Sequence, residues 1–227
     1  MNKIILFLYI YFILFCSSCN TNDKPTKVNV SHGDITEWVV PTQNNWKKLK
    51  NILNVDNSVA MNFTKHLVFY DLENGFGMAQ SAFINNVEGG ITYQLFETYN
   101  NEILLKQTKV NIIEKYQKDN IYWKLPSNSD TAFWVNHIGE YYDSCISYWG
   151  KSKIKGEMKE TLVVERRKFW NDSKEIIERN KEIYQKEKGI YEIKQISVET
   201  GKLLFDFIVS EVGIDKNLTS DKFPLRN

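Results

Sequence analysis

The residues of this 227-residue chain that could do chemistry are three histidines, three cysteines and a scatter of carboxylates. His137-x-x-Glu140 sets an imidazole and a carboxylate on one face if the segment is helical, a spacing able to hold a metal ion. It supplies two ligands where a catalytic zinc takes three, so an ordinary polar strip is expected and no metal. Cys145 lies eight residues beyond His137. Along a helix axis that is roughly 12 Å, too far for proton transfer between the two. Set between Ser144 and Ile146 in an aromatic stretch, the thiol is expected to be a small buried hydrophobe. The 28 acidic residues could include an acid–base pair, but linear order singles none out.

Motifs that would carry other chemistry are missing. There is no G-x-S-x-G elbow, no P-loop, no G-x-G-x-x-G after a strand and no H-E-x-x-H, so no cofactor is expected. Gly75-Phe76-Gly77 is too short for a nucleotide loop and falls at a hairpin turn. Trp38, Trp46, Trp123, Trp134, Trp149 and Trp170 could stack on sugars if exposed, although core positions are the expectation for rings in a domain without disulfides. With 29 basic against 28 acidic residues there is no electrostatic case for nucleic acid. Lysine outnumbers arginine 25 to 4, which argues against clustered guanidinium forks.

The N-terminus carries the clearest signal. Lys3 precedes an unbroken apolar run from Ile4 to Phe15, twelve residues long. As a helix it would cover roughly 18 Å, short of a hydrocarbon core of about 30 Å, so it is read as an export signal. The run ends in Cys16-Ser17-Ser18-Cys19. This resembles the lipobox of bacterial lipoproteins, with Cys16 standing where an aliphatic residue is usual. The resemblance covers about nineteen residues and implies cleavage after Ser18 and lipid attachment at Cys19. Asn20 in place of Asp implies the outer membrane by the same likeness, and a periplasm-facing anchor is expected. Loss of Lys3 leaves the mature chain with a formal net charge of zero. Cys145 is then its one thiol without lipid, and the fold must rest on its core.

Residues 19–33 are polar and read as a tether, and 34–227 as one globular domain. Pro41 makes Trp38-Val39-Val40 extended, and Thr42 would cap a helix from Gln43 to Leu53. Strands follow. His66–Leu72 and Phe76–Ile84 flank Glu73-Asn74-Gly75 as a hairpin, Glu88-Gly89-Gly90 leads into Ile91–Tyr99, Asn100-Asn101 turns into Glu102–Ile113, and Ile121–Leu125 is short. Apolar residues from Phe133 to Trp149 recur at helical spacing behind a cap at Ser129 or Asp130. Asp172-x-x-Glu175 resembles a capping box for a helix reaching Lys188, closed by Gly189. Glu157–Trp170 reads as helix, with a strand at Thr161–Glu165 as the alternative. Ile190–Val198 and Leu203–Val212 form a closing hairpin. The fold class expected is α+β, an antiparallel sheet of hairpins packed on a helical block.

A lipid-anchored envelope protein acting by non-catalytic binding to a protein partner is the expected function, with no enzyme activity. An immunity protein that neutralises a periplasm-acting toxin is the specific version. A carbohydrate- or cell-wall-binding lipoprotein and a carboxylate-based hydrolase are the alternatives.

Overall fold

The structure, a computed structural model, describes residues 33–53, 62–99, 101–110, 113–126, 131–138 and 140–225. Cys19, the export signal, the tether up to His32 and the expected caps at Ser129 and Asp130 lie outside the described residues. Twelve strands make one antiparallel sheet: β1 Trp46–Asn51, β2 Phe63–Leu72, β3 Gly75–Ile84, β4 Val87–Tyr99, β5 Glu102–Val110, β6 Ile113–Lys124, β7 Thr131–Ile138, β8 Tyr141–Ile154, β9 Glu157–Trp170, β10 Ile176–Gln185, β11 Gly189–Ile196 and β12 Leu203–Gly213. Their order is β6-β5-β4-β3-β2-β1-β12-β11-β10-β9-β8-β7. Every strand pairs with a chain neighbour, the first pairs with the last, and β6 and β7 meet as the two edges of a nearly closed barrel.

The expected α+β class is therefore corrected to an almost wholly β fold, and no helical block exists among the described residues. Gln43–Leu53 holds β1, Phe133–Trp149 spans β7 and β8, Glu157–Trp170 is β9, and the segment after Asp172 is β10. Among the described residues the one α-helix, α1 at Ile35–Val39, takes in Trp38 and Val39, which were expected to be extended, and is capped by the Asp34 carboxylate on Thr36 N–H at 3.0 Å. It stops one residue before Val40, whose extended backbone is what a following proline favours.

Hairpin signals fared better because they are local. The turn joining β2 to β3 sits at Glu73-Asn74, and Gly75 opens β3 with φ +155, where a Cβ would strike Phe96 O. The turn before β4 belongs to Asn85-Asn86, at φ 52 and 67, instead of Glu88-Gly89-Gly90, which lie inside the strand. Two positive φ values in a two-residue loop match the right-handed twist of the flanking strands, and asparagine tolerates them. The closing hairpin of β11 and β12 lies where the alternation places it.

One core runs through the barrel. Each strand contributes to it, from Leu49 on β1 through Phe96, Trp123, Trp134, Cys145 and Leu162 to Phe207 on β12. The outer wall carries ion pairs at mid-strand, such as Lys181–Glu165 at 3.4 Å and Lys194–Glu192 at 2.9 Å. Where this core fills it, the interior is apolar behind a charged exterior, the reverse of the plan of barrels embedded in lipid. Helix α1 inserts Ile35, Trp38 and Val39 into this core, with the Trp38 ring 4.9 Å from Trp149. Outside the sheet, the C-terminal tail lays Phe223 against Tyr70, Tyr93 and Leu95. Gly77 leaves room for that ring, since a Cβ there would stand 2.6 Å from it.

The seam between β6 and β7 is sealed by side chains. Asn136 Nδ2 donates to Ile121 O at 2.6 Å, Ser147 Oγ to Lys124 O at 2.5 Å, and Arg166 Nη2 to Tyr122 O at 2.7 Å. These donors come from β7, β8 and β9 and satisfy carbonyls of the β6 edge, which would otherwise invite another strand.

Candidate functional site

The barrel interior changes from apolar to polar along its length, and the polar part is the site. On β8 the inward residues run from Trp149, beside α1, to Asp143, six residues or about 20 Å away. At the Asp143 end a recess of about 280 Å³ opens between β4 and β10. Gln94, Thr108, Asn120, Asp143, Lys168 and Glu178 are part of its wall, with Arg166 and Glu182 deeper. Local irregularities create this wall. Phe96 pairs with Leu105 but Leu95 with Gln107, so Lys106 is the extra residue of a bulge and Thr108 turns inward opposite Gln94. A register shift on β6 likewise turns the consecutive Tyr122 and Trp123 towards the core.

Arg166 organises the deep part. Its Nε and Nη2 reach the two Glu182 carboxylate oxygens at 3.3 and 3.4 Å, and its guanidinium lies 4.3 Å from the Tyr122 ring centre. Nη1 approaches Cys145 Sγ at 3.7 Å. The chain of bonds continues as Tyr184 Oη donates to Glu182 Oε2 at 2.6 Å and Trp123 Nε1 donates to Tyr184 Oη at 2.8 Å. Burial opposes the arginine's charge, but Glu182 and Tyr122 outweigh it and hold its pKa well above the usual value. Burial and the neighbouring Glu182 push Tyr184 well above the normal phenol range. Glu182 thus faces a permanent cation and a phenol that keeps its proton.

Nearer the mouth, Lys168 Nζ sits 3.4 Å from Glu178, and Asn180 Nδ2 donates to Glu178 at 2.7 Å. Lys65 on β2 lies over the Phe207 ring at 4.7 Å, and burial lowers its pKa against the pull of Glu182 and Glu178. Burial raises the Asp143 carboxyl in spite of Lys168 and Arg166.

The residues singled out from sequence are dispersed. His137 points outward from β7 beside Tyr142, and Glu140 is exposed in the next turn, so the helical geometry behind a metal pair does not arise. No group of three or more His, Cys, Asp or Glu able to hold a metal forms among the described residues. His66 packs on Phe83 at 4.4 Å, and burial lowers its pKa. Cys145 is 1% exposed on the inner face, opposite to His137, and burial pushes its thiol up to about 11. At neutral pH such a thiol holds its proton, which removes it as a nucleophile. Trp38, Trp123 and Trp134 are buried, and Trp170, 39% exposed, packs at a tilt against Tyr141 with ring centres 5.1 Å apart.

A carboxylate pair that linear order could not single out is formed by Glu192 and Asp206, which share a hydrogen bond on the outer wall, with Lys194 2.9 Å from Glu192 and 3.8 Å from Asp206. Burial and then Glu192 raise Asp206 to about 6, and its Oδ1 is buried without a partner. Between the unfolded value and about 6 the folded chain binds more protons than the unfolded one, so this pair makes stability rise as pH falls from 7 to 5. Asp206→Asn removes the ionising group while keeping a hydrogen-bonding side chain. The variant is expected to be more stable than wild type at pH 7.5 and to lose this part of the gain on acidification. Urea midpoints at pH 5 and 7.5 measure both, and an unchanged pH slope contradicts the shared proton.

Arg166 was missed in sequence, although two cues point to it. It is one of four arginines in a lysine-rich chain, and it continues the alternation Leu162, Val164, Arg166, Lys168. Read as a strand, that register carries a guanidinium into the core. No protein-family model, curated protein or solved structure matches the chain.

Proposed function

We propose that the chain is a lipid-anchored envelope protein that acts by non-catalytic binding to a protein partner, with immunity against a periplasm-acting toxin as its specific form. The observation that carries this reading is the way the recess holds its groups. Arg166, Glu182, Tyr184 and Trp123 are fixed by reciprocal bonds, and the adjacent thiol keeps its proton. Acid–base catalysis needs a group poised to exchange protons near the working pH, whereas recognition needs donors and acceptors held still. For the hydrolase alternative, Glu178 and Glu182 of the three recess carboxylates are held in ion pairs, and the proton-sharing pair of Glu192 and Asp206 lies on the outer wall. The carbohydrate alternative keeps Trp170 as its exposed ring, since Trp38, Trp123 and Trp134 are buried and Trp46 and Trp149 half-buried.

The anchor follows from the Cys16-Ser17-Ser18-Cys19 resemblance and is tested together with binding. Full-length protein is expected in the membrane fraction, and Cys19→Ala is expected to be mis-processed or released while its domain stays folded. One stoichiometric protein should co-purify with the wild type from gently solubilised envelopes. Unchanged fractionation of Cys19→Ala defeats the anchor, and an empty capture defeats the protein-binding reading.

A further inference from the structure

We propose that the recess at the open end of the barrel receives an organic cation, the ammonium or guanidinium of a lysine or arginine side chain from the protein partner, with Asp143 as its counter-ion. The source of the cation rests on the protein-binding reading; the chemistry of the recess rests on its own charges. Five ionisable groups face one another there from three adjacent strands: Asp143 on β8, Arg166 and Lys168 on β9, Glu178 and Glu182 on β10. Arg166 is joined to Glu182 at 3.3 Å and Lys168 to Glu178 at 3.4 Å. Lys65, from β2, is placed over Phe207 and feels Glu182 and Glu178.

Those pairings leave Asp143. Lys168 stands directly across the β8–β9 ladder from it, yet its ammonium turns to Glu178 and to the Tyr141 ring. No hydrogen bond or ion pair among the described residues reaches the Asp143 carboxylate. A carboxylate in a partly desolvated wall without a donor is an incomplete arrangement, and a donor cation completes it. A second group points the same way from another part of the recess wall. Thr108 Oγ1, turned inward by the bulge on β5, is buried and unpartnered, an acceptor for the remaining N–H of an ammonium or guanidinium. An anion would meet cations that are already paired. A flat guanidinium or a compact ammonium on an aliphatic stem suits a recess of about 280 Å³.

The test uses the full-length lipidated protein in detergent, titrated with ethylguanidinium and butylammonium, with acetate and butanol as controls, and followed by NMR shifts of the Asp143, Lys168 and Glu178 amides. Saturable shifts with both cations and none with acetate or butanol are expected. Asp143→Asn should weaken binding about tenfold or more and Thr108→Val a few-fold, as for the loss of a charged and of a neutral acceptor. Shift dispersion confirms that each variant is folded, and Asp206→Asn, on the outer wall, should bind as wild type does. Binding should weaken at acid pH, where the Asp143 carboxyl, raised by burial, is protonated. Absence of saturation, equal binding by Asp143→Asn, or preference for acetate overturns the proposal. Capped Gly-Lys-Gly and Gly-Arg-Gly peptides should bind at least as well as the free cations, and their exclusion overturns the side-chain source. Partner capture is a separate measurement, so the two readings fall independently.

Discussion

Arg166→Met is expected to cost about 3–5 kcal/mol at pH 7, the range for removing one partner of a buried ion pair. The side chains of Arg166 and Glu182 are 10% and 13% exposed, so water cannot replace the lost partner. Methionine fills much of the volume but donates nothing. Glu182 would keep only the Tyr184 hydroxyl as donor, and Tyr122 O on the barrel seam would lose the 2.7 Å bond that caps it. The loss therefore has two origins, an uncompensated charge and an opened edge.

These origins separate by experiment. Adding Glu182→Gln to Arg166→Met removes the stranded charge, so the double variant should be more stable than the sum of the single losses implies, by 1 kcal/mol or more. The Arg166→Met penalty should also shrink between pH 7 and pH 5. A buried carboxylate left without its cation disfavours its charged form, so protonation at the lower pH relieves part of the loss. Urea midpoints of the four proteins at the two pH values give both results. Strict additivity, or a loss below 1 kcal/mol, contradicts the view that this pair organises the barrel interior.

The same residues explain why the fold was hard to read. A strand with one face in a core alternates apolar and polar, and the closing hairpin of β11 and β12 follows that rule closely enough to be placed from sequence. β10 does not. Its inward face presents Glu178, Asn180 and Glu182 to the recess, while Ile183 on the outward face is 5% exposed. With alternation erased, Ile176, Ile177, Ile183 and Tyr184 fall at a spacing that mimics a helical stripe, and Asp172-x-x-Glu175 supplies a false cap. β7 and β8 mislead similarly. Aromatic and apolar residues occupy both faces, Phe133 at 69% exposure beside Trp134 at 7%, while Asp143 and Ser147 sit on the inner one. Polar residues facing inward are the departures from pattern expected where a protein binds something. The recess was thus legible only as a disturbance of the strand signal, and Arg166 only once that disturbance is read as β.

Trp38→Ala should be the most damaging change at the opposite end, with an expected loss of about 3–5 kcal/mol. A helix of five residues cannot hold itself in water, so α1 persists through what it buries and what ties it down. Ile35, Trp38 and Val39 are 0%, 2% and 1% exposed, and Trp38 packs on Trp149 across the barrel end. The ties run to the turn between β10 and β11. Glu187 N–H donates to Glu37 O, Thr42 N–H to Glu187 O at 3.0 Å, and Lys186 pairs with Glu37 at 2.9 Å. That turn closes tightly because Gly189, at φ +65, lets Val39 O approach to where a Cβ would stand 2.7 Å away. If burial dominates, Asp34→Ala, which removes only the cap, should cost about 1 kcal/mol, several-fold less than Trp38→Ala. Equal losses from the two would assign α1 to local helix stability instead of packing. Because the plug and the recess lie at opposite ends, folded Trp38→Ala should bind ethylguanidinium within about twofold of wild type. A larger change would mean that the two ends of the barrel are mechanically joined through the Trp123–Tyr184–Glu182–Arg166 chain.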